Sequence, residues 1–254
     1  MRLTDVFLDL LFPSHCSACQ DRIPAGSDWC EACAATLIEG TSAACPICGL
    51  IWLEPPPGGA HHVCGDCIRH RPPFRRAIAA FAYGGAMQEA IRRWKNAPDE
   101  GLGRPLVSAM LRELQKVGAK DALVTAAGHG CDPVANPPVV VPIPSRFASL
   151  KVRAFNPAAA LAWGVAKAMK LPYRPSTLSF VGSLPSSRGL GRRERAERMV
   201  GVMRAESRYV TGRHVLIVDD VITTGATVAE AARACLEAGA QTVTVVALAR
   251  VPGS

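Results

Sequence analysis

The chain has 254 residues, of which 49% are hydrophobic and 20% charged, with a net charge of +8. That length and apolar content exclude a disordered or fibrous protein and call for a sizeable core, most simply one α/β domain with a smaller module. The charge is local: Arg146 to Arg213 holds fourteen Lys/Arg against three Asp/Glu, or +11, leaving the rest at −3, which suits a polyanion such as pyrophosphate, a nucleotide or nucleic acid.

The opening MRLTDVFLDLL places Leu3, Val6, Phe7, Leu10 and Leu11 on one stripe and predicts a short amphipathic helix packed on the protein. Asp5, Asp9 and the lack of a small-residue cleavage site argue against a secretory signal. No stretch approaches the roughly 20 apolar residues of a membrane span, so a cytoplasmic location is expected.

Eight of the ten cysteines then follow as four CxxC pairs, Cys16/Cys19, Cys30/Cys33, Cys45/Cys48 and Cys64/Cys67. A CxxC turn presents two thiolates on one side, and two such turns close a tetrahedral zinc site, so up to two structural zinc ions are expected. Repeated vicinal pairs in a chain without export signals favour metal over disulfides. The spacing fits tandem ribbons, first pair with second and third with fourth, and equally a cross-braced arrangement. His15, His61, His62 and His70 lie near these turns but are not needed as ligands. Cys235 falls in an Ala-rich helical run and reads as core, and Cys131 sits in the irregular stretch Ala126 to Pro138. The module is assigned to residues 1–70, ending at the breaker RHRPPF, and the remainder to 77–254.

From Ala77 the pattern alternates. Strands are predicted at Ala77–Tyr83, Val139–Ile143, Val215–Val218 and Thr242–Leu248, and helices at Met87–Lys95, Gly101–Val117, Pro157–Met169 and Ala226–Ala238. The last helix stops at Gly239 and the third starts with a proline. Strands with intervening helices imply an α/β fold with a parallel sheet covered on both faces, whose ligands bind beyond the carboxyl ends of the strands.

Three segments carry the chemistry. In VLIVDDVITTGATV, a β-branched strand delivers Asp219 and Asp220 to its end, and Thr223, Thr224, Gly225, Ala226 and Thr227 lead into a helix. The loop N–H groups, threonine hydroxyls and helix dipole can hold a phosphate, and the acids can take vicinal ribose hydroxyls or a hydrated Mg²⁺. VVVPIPSR ends in a turn with Ser145 and Arg146, followed by Lys151 and Arg153. Ser186 to Ala205 is Gly-punctuated and basic, the composition of a flap that closes over a charged substrate.

The acid-and-loop run resembles the phosphoribosyl-pyrophosphate motif of type I phosphoribosyltransferases. With DLLFPSHCSAC, CPICG, CGDC, the stretch AIAAFAYGGAMQEAIRRWK leading to Lys95, and VPIPSR, nearly the whole chain resembles the ComF family, competence-associated phosphoribosyltransferase-like proteins with an N-terminal double zinc ribbon. The resemblance implies a type I phosphoribosyltransferase fold. It also implies Mg²⁺ with phosphoribosyl pyrophosphate, Asp219 and Asp220 on ribose and metal, Thr223 to Thr227 on the 5′-phosphate, and Arg146 beside the pyrophosphate. The family's RGFNQA is RAFNPA here, and its flap pattern QxGLxxxxRxxNxxGAF keeps Gly189, Leu190, Arg195 and Gly201 but has Ser187, Arg198, Val202 and Met203 elsewhere, so the flap loses its Gln and Asn amides.

The expected activity is transfer of the phosphoribosyl group to an acceptor that the sequence does not name. The alternative is a non-catalytic adaptor in DNA uptake that binds a nucleotide or single-stranded DNA and competence proteins such as a helicase. An aromatic content of 6% offers few stacking platforms for a dedicated single-strand binder.

Overall fold

The computed structural model describes residues 14–40, 43–54, 62–96, 100–116, 118, 136–145, 155–181 and 199–253. The predicted N-terminal helix, His61, Cys131, Arg146, Lys151, Arg153 and most of the predicted flap lie outside them. In chain order the elements are α1 (Glu31–Ala34), α2 (Gly65–Arg69), β1 (Arg76–Ala82), α3 (Gly85–Asn96), α4 (Glu100–Lys116), β2 (Val139–Pro142), α5 (Pro157–Met169), β3 (Leu178–Phe180), β4 (Met203–Ala205), α6 (Ser207–Val210), β5 (His214–Ile222), α7 (Ala226–Glu237) and β6 (Thr242–Arg250).

Four strands form a parallel sheet in the order β1-β6-β5-β2. Its strands are apolar on both faces because both faces are covered. Alternate residues enter two cores: Val140, Leu216, Val218, Val246 and Leu248 pack with Met87, Ile91, Leu106 and Leu161 from α3, α4 and α5. Val139, Val141, Val215, Ile217 and Val245 pack with Val228, Ala231 and Cys235 of α7 and with Leu178 and Met203. Each such side chain buried contributes about 1.5–3 kcal/mol. The sheet is therefore held from two sides, and its central strand β5 is immobilised between them.

Two details depart from the sequence reading. Strand β5 does not end at Val218 but continues through both aspartates to Ile222, paired with β6 as far as Ile222 opposite Arg250. The end of the predicted flap is β4, which pairs antiparallel with β3, and Met199 and Met203 are buried. The side chains of α7 clamp this hairpin: Glu230 Oε1 accepts from the Met203 N–H (3.0 Å) and Arg233 Nη2 donates to the Met203 carbonyl (3.2 Å).

The outer edge of β1 would expose unpaired backbone groups, and the cysteine segment covers it. The Ala77 N–H donates to Ile47, the Gly40 N–H to Ala80, and the Ala82 N–H to Ile38, each at 2.8 Å. Gly49 makes the approach possible: its φ is +66°, and a Cβ there would sit 2.7 Å from the Ala77 carbonyl oxygen.

At the amino end of β5, His214 is 1% exposed and neither ring nitrogen has a hydrogen-bond partner among the described residues. Burial, aided by the Arg75 charge, pulls its pKa down to about 4. The unfolded chain binds a proton that the native chain refuses between the ordinary histidine value and that one, so this residue costs stability as pH falls through that window. His214→Leu is expected to remove up to about 3 kcal/mol of acid sensitivity between about pH 6.5 and 4 while leaving stability at pH 7.5 unchanged or higher. Urea unfolding of both chains across this range measures it, and parallel pH profiles would refute it.

Candidate functional site

Four buried residues, Val215 to Val218, run Asp219 and Asp220 toward the carboxyl edge of the sheet, where the loop Thr223 to Gly225 turns into α7. Asp219 is 8% exposed, and its Oδ1 accepts from the Asp220 N–H at 2.9 Å. Burial, then the neighbouring Asp220 charge, pushes its carboxyl well above the usual range. Lys95, from the last turn of α3, forms an ion pair with Asp220. That ammonium favours the ionised form of the acid it pairs with.

The start of α7 suits an anion. Its N-cap is Gly225, φ +87°, with no side-chain cap, and Thr224 Oγ1 accepts from the Ala226 N–H at 3.4 Å. The first-turn N–H groups and the positive end of the helix dipole face outward from the same loop that follows the acids. Arg250 closes the neighbouring strand β6. It is 3% exposed, and both terminal nitrogens lie 3.9 Å from where a Gly225 Cβ would stand. A basic group therefore lies behind this turn.

The second segment arrives through strand pairing. Pro142 is in register with Val218, and the Ile143 N–H donates to the Val218 carbonyl at 2.9 Å, so the turn carrying Ser145 leaves the sheet beside the acid pair. Asn156 Nδ2 donates to the Ile143 carbonyl (3.1 Å) and fastens this turn to the start of α5. Thus Asp219, Asp220, Thr223 to Thr227 and Ser145 stand at one end of the sheet. Arg146 is not among the described residues. Lys95 and Arg250 were not singled out from the sequence as ligand-binding residues. Lys95 ends the stretch AIAAFAYGGAMQEAIRRWK, whereas Arg250 lies beyond Leu248, where the strand is predicted to stop, and β6 in fact continues to it.

The eight cysteines form two groups, Cys16, Cys19, Cys30 and Cys33, and Cys45, Cys48, Cys64 and Cys67, with the sulfurs of each within 4.8 Å of one another. Pairing is therefore sequential, not cross-braced. Cys19 and Cys30 sulfurs are 3.6 Å apart, as are those of Cys48 and Cys64. That is far beyond a disulfide bond and close to the edge of about 3.8 Å expected for a tetrahedron with zinc–sulfur bonds of about 2.3 Å. Local donors favour a thiolate at one cysteine of each group, while Cys19, Cys33, Cys48 and Cys67 are held as thiols: the Cys45 thiolate and burial push Cys48 up, burial pushes Cys33 and Cys67 up, and Cys19 is raised as well. Cys45 is pulled down to about 4 by the Cys48 thiol and, against burial, by the N–H groups of Cys64, Cys48 and Ile47. Cys16 lies at about 6: burial opposes, and the N–H groups of Cys30, Cys19 and Ala18 prevail. Four sulfurs fill each coordination sphere, so the sites fit structural zinc and leave no position for substrate. None of the described histidines joins either group; His62 stacks on Trp52 instead. Cys235 is buried, its thiol pushed up to about 12 by burial, as a core residue should be.

Comparison with known proteins agrees with this division. Residues 7–68 match the double zinc ribbon domain and residues 158–254 the phosphoribosyl transferase domain. The DNA utilization protein YhgH of Salmonella typhi is 30% identical over 251 residues, covering 95% of this chain and 99% of that protein. Competence protein ComFC of Bacillus subtilis is 26% identical, covering 83% of this chain and 78% of its own. Competence protein F of Haemophilus influenzae is 24% identical, with 74% and 78% covered. A two-ribbon cysteine module docked on a parallel sheet with a phosphoribosyltransferase-type strand end, in a chain aligned nearly end to end with YhgH, belongs to the ComF family.

Proposed function

We propose that the chain binds phosphoribosyl pyrophosphate with Mg²⁺ at the carboxyl end of β5 and transfers its phosphoribosyl group to an acceptor. The observation that carries this reading is the buried Asp219 beside Asp220, which pairs with Lys95, followed after a short loop by a helix start whose N-cap Gly225 has no side chain to cap it. Such a pair is unfavourable unless a cation or polyol engages it. The loop Thr223 to Thr227 would hold the 5′-phosphate through backbone N–H groups and hydroxyls, supplying remote binding energy. Asp219 and Asp220 would take the ribose hydroxyls and hold the hydrated metal, and Ser145 and Arg146 would border the pyrophosphate. Bound Mg²⁺ would neutralise the leaving pyrophosphate. The chain's own residues would orient the sugar and keep water from its buried face.

The names of the relatives, DNA utilization protein and competence protein, support a role for this site in DNA handling. They also support the second reading, an adaptor that binds a nucleotide or single-stranded DNA and engages a partner such as a helicase without turnover. No helix of the described residues is long and apolar enough to cross a membrane. Thiols gathered for metal, with no disulfide among them, suit a cytoplasmic location.

Calorimetry is expected to show Mg²⁺-dependent binding of phosphoribosyl pyrophosphate by the wild type and none by Asp219→Asn/Asp220→Asn; equal affinity of the two would reject the site. Pyrophosphate release with a panel of nucleobases would favour the transferase, and salt-sensitive DNA binding without release the adaptor.

The raised carboxyl of Asp219 has a stability consequence. A proton on it favours the native state, and that stabilisation is lost as pH rises through its elevated value, so at pH 7 the acid is held at a cost. Asp219→Asn should raise the thermal midpoint of the ligand-free chain while abolishing binding, at about 2–4 °C per kcal/mol relieved. A lowered midpoint in calorimetric scans would contradict this.

We further propose zinc in both four-cysteine groups. Elemental analysis should give close to two zinc ions per chain, and chelation should expose the β1 edge and promote aggregation, seen as light scattering; zinc near zero in protein prepared without chelator would count against it.

A further inference from the structure

The first ribbon reaches the acid pair through a single helix. α3 lies between them: its inner face, Met87, Ala90, Ile91 and Trp94, is sealed in the core, and its last turn carries Lys95 to Asp220. A cation belongs at that end, where the helix dipole is negative. What fixes the helix along its axis is the cysteine module. At the start of α3 the Ala86 N–H donates to Thr36 Oγ1 (3.0 Å), and that hydroxyl donates to the carbonyl of Cys33 (2.8 Å). Near its end Arg93 Nη1 donates to the carbonyls of Ser17 (3.2 Å) and Ala18 (3.3 Å), the two residues inside the Cys16–Cys19 turn. Ala86 also packs in one apolar cluster with Cys16, Ala18 and Ile23.

Every one of these anchors is a group whose position depends on the first four-cysteine site. Ser17 and Ala18 lie within the Cys16–Cys19 turn, which a metal in this group would hold in shape, and Cys33 belongs to the same four-cysteine set. The second site makes a different contact, with Ile47 and Gly49 on the first residues of β1. The two ribbons therefore serve different parts of the sheet.

We propose that Lys95 is a positioning residue of the phosphoribosyl site and that the first zinc ribbon sets its place, so that metal in Cys16, Cys19, Cys30 and Cys33 is coupled to ligand binding at Asp219 and Asp220. The inference rests on the reading of that site as one for phosphoribosyl pyrophosphate. The lysine holds Asp220 at the loop while the site is empty and remains beside it as the charged ligand enters. The acid pair is then organised by a side chain from outside the β5 motif, and a structural metal controls a site to which it donates no ligand.

The test uses the zinc-loaded chain and four variants: Lys95→Gln, Lys95→Arg, Arg93→Ala and, as a control, Arg92→Ala, whose exposed side chain pairs, among the described residues, with Glu89 in its own helix. Three quantities are measured: calorimetric affinity for Mg²⁺ with phosphoribosyl pyrophosphate, amide hydrogen exchange of 85–96, and zinc release to a chromogenic chelator. Lys95→Gln should weaken binding about tenfold or more, with Lys95→Arg restoring it to within about threefold, because the contact requires a charge at that point and a merely structural lysine would not be rescued so. Arg93→Ala should weaken binding about threefold to tenfold, speed exchange in α3 and speed zinc loss from the first site, with Arg92→Ala matching wild type in all three.

Wild-type affinity in Lys95→Gln would overturn the role of Lys95 while leaving the phosphoribosyl reading intact. Wild-type behaviour of Arg93→Ala in all three measurements would overturn its placement by the ribbon. A wild-type chain that ignores the ligand would overturn the phosphoribosyl reading and the role of Lys95 with it, and exchange and zinc release would still decide whether ribbon and helix are coupled.

Discussion

The constraint on which this structure turns is the cost of placing two adjacent carboxylates at the end of a buried strand. Val215 to Val218 are shielded on both faces, and β6 pairs with β5 beyond them, so Asp219 is drawn into the sheet and nearly removed from water. An ionised acid there has lost solvation that only hydrogen bonds or cations can replace. The neighbouring N–H of Asp220 and the ammonium of Lys95 replace part of it. The deficit makes the site receptive to a metal ion or a set of hydroxyls, and a sheet built for stability alone would place apolar residues at both positions.

A second demand comes from the sheet's edge. β1 is the outermost strand beside β6, and on its free side the cysteine segment supplies backbone partners to Ala77, Ala80 and Ala82. A segment with so few large apolar groups gains little from burial, so its ability to present Ile38, Gly40 and Ile47 in fixed positions has to come from the thiolate clusters. Ion pairs of Arg112 with Asp28 and Lys116 with Glu39 add contacts from α4, but they are exposed and worth at most about 1 kcal/mol each. Main-chain hydrogen bonds from the segment that carries the four-cysteine groups hold this junction; surface charge contributes little.

The parts that could be read from the sequence are those in which one physical rule dominates locally. Continuous β-branched runs such as Val139–Val141 and Val215–Val218 mark strands buried on both faces, and the CxxC spacing marks thiolate turns. Where tertiary contacts decide, the sequence was silent or misleading. Asp219 and Asp220 interrupt the apolar run and suggest its end, yet β6 offers main-chain partners as far as Arg250 and the strand continues. The three-residue strands β3 and β4 are too short to show alternation, and they exist because Glu230 and Arg233 of α7 satisfy the Met203 backbone. Which cysteine pairs share a site is a question of chain path, and loops of ten and fifteen residues permit either answer. Lys95 closes a quoted motif without any role readable from it, and only the packing of α3 shows what it faces.

These observations bear on why ribbons and phosphoribosyltransferase-type sheet occur in one polypeptide. A zinc module tethered by a flexible linker could recruit a partner, but it would have no means of affecting the acid pair. Here the connection between the Cys64–Cys67 turn and β1 is short, the ribbons share backbone hydrogen bonds with β1, and α3 follows β1 directly, so the chain returns to the first ribbon immediately after the strand that the ribbons cover. Arg93 and Thr36 then join helix to ribbon, and the same helix ends at Asp220. Rigid elements joined in this order transmit displacement, because a packed helix shifts as a body more readily than it bends. A movement of the Cys16–Cys19 turn would therefore be felt at Lys95, whereas a movement of the second ribbon would be felt at the start of β1, away from the carboxyl edge where the acids stand.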